Sequence, residues 1–478
     1  MPEQRMRAVR LVVFVFVALT GAAARGGAQG VAERLDALLA RLPQANAVGL
    51  VVADAESGTV LYEHQADTPL KPASVQKLFV TAAALERLGP GFEYQTRVYL
   101  QGTELWVVGA GDPAIGDERI ADRHNQNPDH AFDEWAAAVR ARGVTSLSGI
   151  VLDDSVFDEQ WVHPDWPDGQ ADTWYQAPVG GLNLNDNCVD VTLAVRGGRI
   201  EAKSQPELPA DFLRNDLKLA KRQHPVLRRR ASGDGLELTG TAAKGGALSP
   251  VCVRRPSAFF GAALKEAFEK RGIQVQGSVA CRRLPADALA RATLVATYRT
   301  PLPDVLWRAN RFSQNLFAEC LLKSLGVYGA DGRATGDAGG SWDSGRAVLL
   351  ETLGRMGVDM SGAAIRDGSG LSHRNRVTAA QITRLLVLMH RHRHADVFLA
   401  SLAEAGELGS MRHRYSDPAL RGRLRGKTGS IEGVRGLAGY LTRPDGTVLA
   451  FALLMNTEAG ADLPVQACRA MLEGGGAR

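Results

Sequence analysis

The sequence predicts an α+β protein: one antiparallel sheet flanked by helices, joined to a helical subdomain and interrupted by inserted β-rich domains. Three observations carry that expectation. Strand-like runs stand near both ends of the chain, helical periodicity fills most of the remainder, and the texture between Phe92 and Thr293 differs from both. On the N-terminal side an amphipathic helix is expected over 31–42, followed by strands at 48–53 and 59–64 on either side of Glu56-Ser57-Gly58, a hairpin signal. On the C-terminal side the runs 436–441 and 447–456 flank Arg443-Pro444-Asp445-Gly446, a second hairpin signal, and 463–472 closes as a helix. Strands from both ends therefore meet in one sheet covered by terminal helices. Further helices are expected at 72–88, 316–325, 344–356 and 378–390. Between 93 and 293, short runs such as 105–108, 149–152, 189–195 and 236–238 are broken by Gly, Pro and Asp, and a helix over 256–271 precedes a strand at 275–280. This stretch reads as two inserted β-rich domains within a domain built from 29–92 and 294–478.

Residues 1–28 have the layout of a cleavable secretory signal. Arg5, Arg7 and Arg10 precede the apolar run 11–19, and small residues follow at Ala22–Ala24 and Gly26–Ala28. The apolar run is shorter than the roughly 20 residues of a membrane span, and no cysteine marks a lipid anchor. The mature protein is expected to be exported to the periplasm or cell-wall space, without a stable transmembrane anchor. The formal charge of +4 shrinks once this segment is set aside, because it holds four arginines against one glutamate. A nearly neutral mature chain excludes an electrostatic case for nucleic acid. The cluster Arg228-Arg229-Arg230, with Lys218, Lys221 and Arg222 before it, reads as a solvated basic loop.

None of the five cysteines, Cys188, Cys252, Cys281, Cys320 and Cys468, forms C-x-x-C, which excludes zinc and thioredoxin-like readings. Cys252 and Cys281 flank the helix at 256–271 and are the expected disulfide pair, with Cys188–Cys252 as the alternative. Cys320 lies in an apolar helical stretch and belongs to the core. His390, His392 and His394 alternate with arginines and read as a solvated helix end. No metal and no cofactor is expected. Gly109-Ala110-Gly111-Asp112-Pro113-Ala114 lacks a third glycine and puts proline where a helix would open, so a nucleotide loop is excluded.

Three short strings carry the chemistry by their order: Ser74-Val75-Gln76-Lys77, Ser313-Gln314-Asn315 and Lys427-Thr428-Gly429. The first opens an apolar helix after Pro72, a residue suited to a first helical turn. Ser74 then sits where backbone N–H groups stabilise negative charge, and i, i+3 spacing stacks Lys77 on its face. Burial and a neighbouring cation such as Lys427 would lower the Lys77 pKa enough for it to take a proton. The second string lies in a loop entering a helix, where a hydroxyl and an amide two residues apart relay a proton and hold a peptide. In the third, Gly429 lets a substrate backbone approach, Lys427 and Thr428 bind a carboxylate, and the Ser430 N–H completes an oxyanion hole with that of Ser74. Together they read as S-x-x-K, S-x-N and K-T-G elements.

At these residues the chain resembles the D-alanyl-D-alanine carboxypeptidase/endopeptidases, the class C low-molecular-mass penicillin-binding proteins. The resemblance includes Gly109-Ala110-Gly111-Asp112-Pro113, Ala177-Pro178-Val179-Gly180-Gly181-Leu182 with Asn187-Cys188, Asp367-Gly368-Ser369-Gly370-Leu371-Ser372, and the long gap from Lys77 to Ser313. It implies a serine β-lactamase/D,D-peptidase-like catalytic domain and acylation of Ser74 by peptidoglycan peptides or β-lactams. Lys77 is the implied base, with Ser313 relaying a proton and Asn315 holding the substrate amide. The alternatives are a β-lactamase or esterase on the same scaffold, or a non-catalytic wall-binding or sensor protein. One position departs from the pattern. After D-G-S-G-L-S the family commonly carries an arginine suited to a diaminopimelate carboxylate, but here His373 stands there, with Arg374 next. Asp168 or Asp172 is the candidate partner for the amino group, so side-chain recognition is expected from His373, Arg374 and Asp168.

Overall fold

The computed structural model describes residues 30–197, 199–334 and 339–473; the expected signal segment lies outside them. Two compact units are present. The first takes the described residues up to Leu78, Gly354–Ala364 and those from Arg374 onward, and the second takes Phe79–Leu353 and Ile365–His373.

In the first unit, strands Val48–Asp54 and Val60–His64 form one edge of a six-stranded sheet. Val448–Met455, Val434–Thr442, Leu424–Ile431 and the two-residue strand Ala403–Glu404 continue it. All pairings are antiparallel, and the two ends of the chain join where Val48–Asp54 runs beside Val448–Met455. Alternation sets the two faces. Leu424, Leu437, Leu441, Phe451 and Leu453 lie in one core with Val31, Leu35 and Leu39 of the helix at 30–39 and with Ala467, Cys468 and Met471 of helix Leu463–Glu473. Each of the buried Val, Leu, Phe and Met side chains contributes about 1.5–3 kcal/mol. On the other face lies helix Ala379–His390, where the Tyr440 hydroxyl donates to the carbonyl of Leu386 at 2.7 Å. A capping box opens that helix: Thr378 Oγ1 accepts from the Gln381 N–H, and the Gln381 side chain accepts from the Thr378 N–H.

In the second unit, strands Glu93–Gln101 and Thr293–Pro301 pair antiparallel, Glu93 opposite Pro301. The chain between them begins and ends on neighbouring strands of a five-stranded sheet. The sheet is mixed, since Glu104–Val108, Gly149–Asp153 and Val279–Cys281 run parallel. Parallel neighbours need a crossover, and helices His130–Arg140 and Pro256–Lys270 lie within the two connections. Phe132 and Trp135 of the first meet Phe260 of the second at 5.8 and 6.1 Å between ring centroids. The helix His130–Arg140 is an addition to what the sequence predicts. Among the described residues no helix is long and apolar enough to cross a membrane.

Two expectations need correction. The arginine cluster is not a solvated loop: Arg228 and Arg229 belong to strand His224–Arg229, paired with Leu236–Ala242. Arg228 binds Glu237 at 2.7 Å, and Arg229 binds Asp172 at 3.2 Å and donates to the carbonyl of Cys252. Strand alternation gives each arginine a separate acceptor. Neither expected disulfide forms, and all five cysteines are free thiols. Cys281 lies on a strand beside Gly149–Asp153, with its thiol 3.1 Å from the Asp154 carboxylate. Cys252 lies directly opposite Cys188 in register on a different pair of strands.

Candidate active site

In the first unit the S-x-x-K segment is not one continuous α-helix from Pro72. Ala73–Gln76 is a 3-10 turn, and the α-helix begins at Lys77. Ala73 adopts φ 46, a left-handed conformation that costs a non-glycine residue about 1–3 kcal/mol. Two neighbours hold it there. The Asn456 side chain accepts from the Lys71 N–H at 2.9 Å and donates to the Lys71 carbonyl at 3.1 Å. Strand Leu424–Ile431 runs against the turn so closely that a Cβ on Gly429 would stand 2.8 Å from the Pro72 carbonyl oxygen and 3.2 Å from the Val75 nitrogen. The close approach that Gly429 permits is therefore to the protein's own turn, not only to a substrate.

This arrangement exposes part of Ser74 and buries Lys77 completely. Lys77 Nζ donates to Ser74 Oγ at 3.0 Å. Lys427 is also fully buried, and its Nζ donates to the Thr428 carbonyl at 2.8 Å. Burial holds the Lys427 pKa well below the usual lysine value, and the charge of Lys77 pushes it the same way. Thr428 is half-buried and Ser430 exposed. Ala403–Glu404 pairs only with Gly426 and Arg425, so among the described residues no strand covers Lys427–Ser430 on that side. Ser74, Lys77, Lys427 and Thr428 are thus gathered within one unit.

In the second unit, Ser313 and Gln314 lie in the turn between helices Leu302–Arg311 and Asn315–Leu325. Ser313 has φ 62 and is half-buried. Asn315 is buried as the first helical residue, and its Nδ2 donates to the Tyr175 carbonyl at 2.8 Å. The D-G-S-G-L-S segment is wrapped around two buried carboxylates. Glu319 accepts from the Gly368 and Ser369 N–H groups at 2.8 and 2.7 Å and from the Trp342 indole. Burial, then the charge of Asp367, raises its pKa to about 7. Asp367 accepts from Gly370 N, Ser372 N and the Trp166 indole, the last two on one oxygen at 2.7 and 2.9 Å. One carboxylate therefore pins both the segment that leads to His373 and the segment that leads to Asp168. His373 is half-buried, and Asp168 is exposed in a turn. Arg374 is exposed at the start of the next stretch of the first unit. Asp172 is engaged by Arg229.

A profile of the D-Ala-D-Ala carboxypeptidase 3 (S13) family matches residues 31–473. A D-alanyl-D-alanine carboxypeptidase of Actinomadura sp. (strain R39) is 31% identical over 473 residues, covering 91% of this chain and 82% of the relative. The Carboxypeptidase DacB of Mycolicibacterium smegmatis is 27% identical over 437 residues, covering 90% and 80%. The crystal structure of penicillin binding protein 4 (dacB) from Haemophilus influenzae shares the fold, with a TM-score of 0.72 at 22% identity, covering 91% of this chain and 97% of that one. The chain belongs to the D-Ala-D-Ala carboxypeptidase 3 (S13) family.

As a member of this S13 family it is a serine-type D-Ala-D-Ala carboxypeptidase, a hydrolase. Among the described residues no group of three metal-ligating side chains occurs. His390 lies 3.6 Å from Glu56, and its ring lies beside Tyr440. The buried carboxylates Glu319, Asp367 and Asp117, and the half-buried Asp186, are not legible as site residues in the sequence. Only Asp367 belongs to a quoted motif, and the contacts of the others join positions far apart in the chain.

Proposed function

We propose that Ser74 is the nucleophile and Lys77 its base. The observation that carries this reading is the 3.0 Å hydrogen bond from Lys77 Nζ to Ser74 Oγ. In the hydrolysis, Ser74 Oγ attacks the carbonyl of the penultimate D-alanine and gives its proton to Lys77. The N–H groups of Ser74 and Ser430 receive the oxyanion, and water later releases the acyl group. Two buried lysines that repel each other favour a neutral amine, which is what a base must be. Lys427 and Thr428 are assigned to the substrate's terminal carboxylate, beside the uncovered edge of their strand. From the S-x-N motif we assign Ser313 to the proton for the leaving amine and Asn315 to the substrate amide. The substrates we propose are peptidoglycan peptides, including cross-linked ones. β-Lactams would acylate the same serine, as the β-lactam complex of the Haemophilus influenzae protein suggests. His373, Arg374 and Asp168 are assigned to the substrate side chain. The enzyme works after export, once residues 1–28 have been removed.

Mass analysis of muropeptides incubated with purified enzyme tests this reading. Loss of one D-alanine from pentapeptide ends and opening of cross-links are expected, and Ser74→Ala does neither and takes no label from a fluorescent penicillin. Labelling of that variant at another serine sinks the assignment, and rapid turnover of penicillin by the native enzyme favours the β-lactamase alternative.

A further inference from the structure

We propose that Asp186 is a positioning residue that fixes the Ser313-Gln314-Asn315 turn by way of Gln314. This rests on the reading that the turn serves acyl transfer. Asn185, Asp186 and Asn187 have φ of 48, 56 and 53, three successive left-handed residues without a glycine. Such strain persists only where surrounding contacts impose it. Asn185 Nδ2 donates to the Cys188 carbonyl and the Asp190 carboxylate, and Asn187 Nδ2 donates to the Pro178 carbonyl and to Asn183 Oδ1. The turn these bonds build sets the direction in which Asp186 points.

Asp186 Oδ2 receives Gln314 Nε2 at 2.5 Å and Arg308 Nη2 at 2.8 Å. Arg308 is itself buried, and its Nε donates to Asp117 Oδ2 at 2.7 Å. Asp117 Oδ1 caps helix Glu118–Arg123 by accepting from the Ile120 N–H. The anchor is therefore tied to a second helix and does not swing freely. At the other end of the amide, Gln314 Oε1 accepts from the Asn315 N–H at 2.8 Å. Only one orientation of this side chain satisfies both ends, because a flipped amide would set its oxygen against a carboxylate and its NH2 against an N–H. Gln314 thus holds its own peptide link to Asn315, whose side chain reaches the Tyr175 carbonyl, directly after Ser313 at φ 62. Without that lock, Ser313 is expected to relax to negative φ and carry its hydroxyl away from its working position.

Single and paired substitutions at the two positions test this. Gln314→Glu faces a carboxylate with a carboxylate, and its acylation rate with a fluorescent penicillin is expected to fall on the order of tenfold or more, the scale of a small misplacement. Adding Asp186→Asn removes the paired carboxylates while the amide oxygen still accepts from Arg308 Nη2, and should raise the rate about threefold or more above that of Gln314→Glu alone, a coupling that independent sites do not show. Gln314→Ala leaves the Arg308 ion pairs in place; it should fold, by circular dichroism and melting temperature, yet acylate slowly with a lowered kcat on D-Ala-D-Ala peptides and little change in KM. A folded Gln314→Ala with the native rate, or a double variant no faster than Gln314→Glu, overturns the proposal. If the native enzyme is labelled at Ser74 while these variants are unaffected, this inference alone fails. If Ser74 is never labelled, the reading of the site fails with it.

Discussion

Lys323 and Lys427 are both fully buried, one in each compact unit, and their surroundings act in opposite senses. Lys323, in helix Asn315–Leu325, donates to Asp158 at 2.6 Å and to the Gln160 carbonyl at 2.8 Å, and its ammonium stands 4.0 Å from the Trp342 ring centroid. Burial lowers its pKa, and Asp158 pushes it back up. For Lys427, burial and the charge of Lys77 both push down. A compensated buried charge serves structure, whereas a buried cation set beside another cation stores a cost that only a task such as anion binding or proton transfer justifies. In the sequence only Lys427 is marked, by its K-T-G context; that both lysines are buried, and that their surroundings oppose each other, shows only in their partners.

The sharpest way to break this contrast is to remove the charges one at a time. Lys77→Ala should lose acylation by on the order of 10²–10⁴-fold, the usual contribution of a positioned base. Lys427→Met should slow turnover of a D-Ala-D-Ala peptide by on the order of 10²-fold, as loss of a charge-binding group does, with unchanged or raised thermal stability. Lys323→Met should do the reverse, losing about 1–3 kcal/mol of stability with its charge-assisted bonds while acylation continues. Penicillin-labelling kinetics and thermal melts on the same samples decide it. Lys323→Met inactive but fully stable, or Lys427→Met active but unstable, would exchange the two roles.

The same contrast explains what the sequence made legible. Ser74 and Lys77 are readable because i, i+3 spacing is local, and the terminal strands because their turns are. The left-handed Ala73 was not, since it results from Asn456 and Gly429, more than 350 positions away in the chain. Gly429 reads in the sequence as open to a substrate, but the turn fills part of that space. The second unit hides more. A glutamate inside the apolar helix Asn315–Leu325 gives no sign that it will gather two backbone N–H groups from Gly368 and Ser369. The parallel strands are not legible either, because the stretch that holds the crossover helix His130–Arg140 reads as β-rich.

A smaller effect sharpens the comparison through pH. The folded pKa of Lys427 lies below its ordinary value of 10.5. Between that depressed value and 10.5 the unfolded chain binds more protons than the folded one, so stability rises with pH across the window. Relative to Lys427→Met, the native protein should gain up to about 1.4 kcal/mol per pH unit there. Lys323 is present in both proteins and cancels. Melting curves that stay parallel as the pH is raised toward 10 would show that Lys427 does not titrate as a buried, repelled lysine.

The smallest expected effect lies at the substrate side chain. His373 follows a segment whose backbone is held by Glu319 and Asp367, and the same Asp367 oxygen holds Trp166, two residues before Asp168. The two candidate recognition segments are thus fixed to one carboxylate, and the side chain presented after the first of them is His373. A histidine is shorter than arginine and only partly charged near neutral pH, so it forms a weaker bond to a carboxylate than a guanidinium does. The enzyme should therefore discriminate weakly between peptides with and without a free carboxylate on the side chain. His373→Arg should raise that preference about three- to tenfold, the scale of one added charge-assisted bond. Paired kcat/KM measurements on the two peptides test it. A strong preference in the native enzyme that survives His373→Ala would show that recognition does not pass through this position.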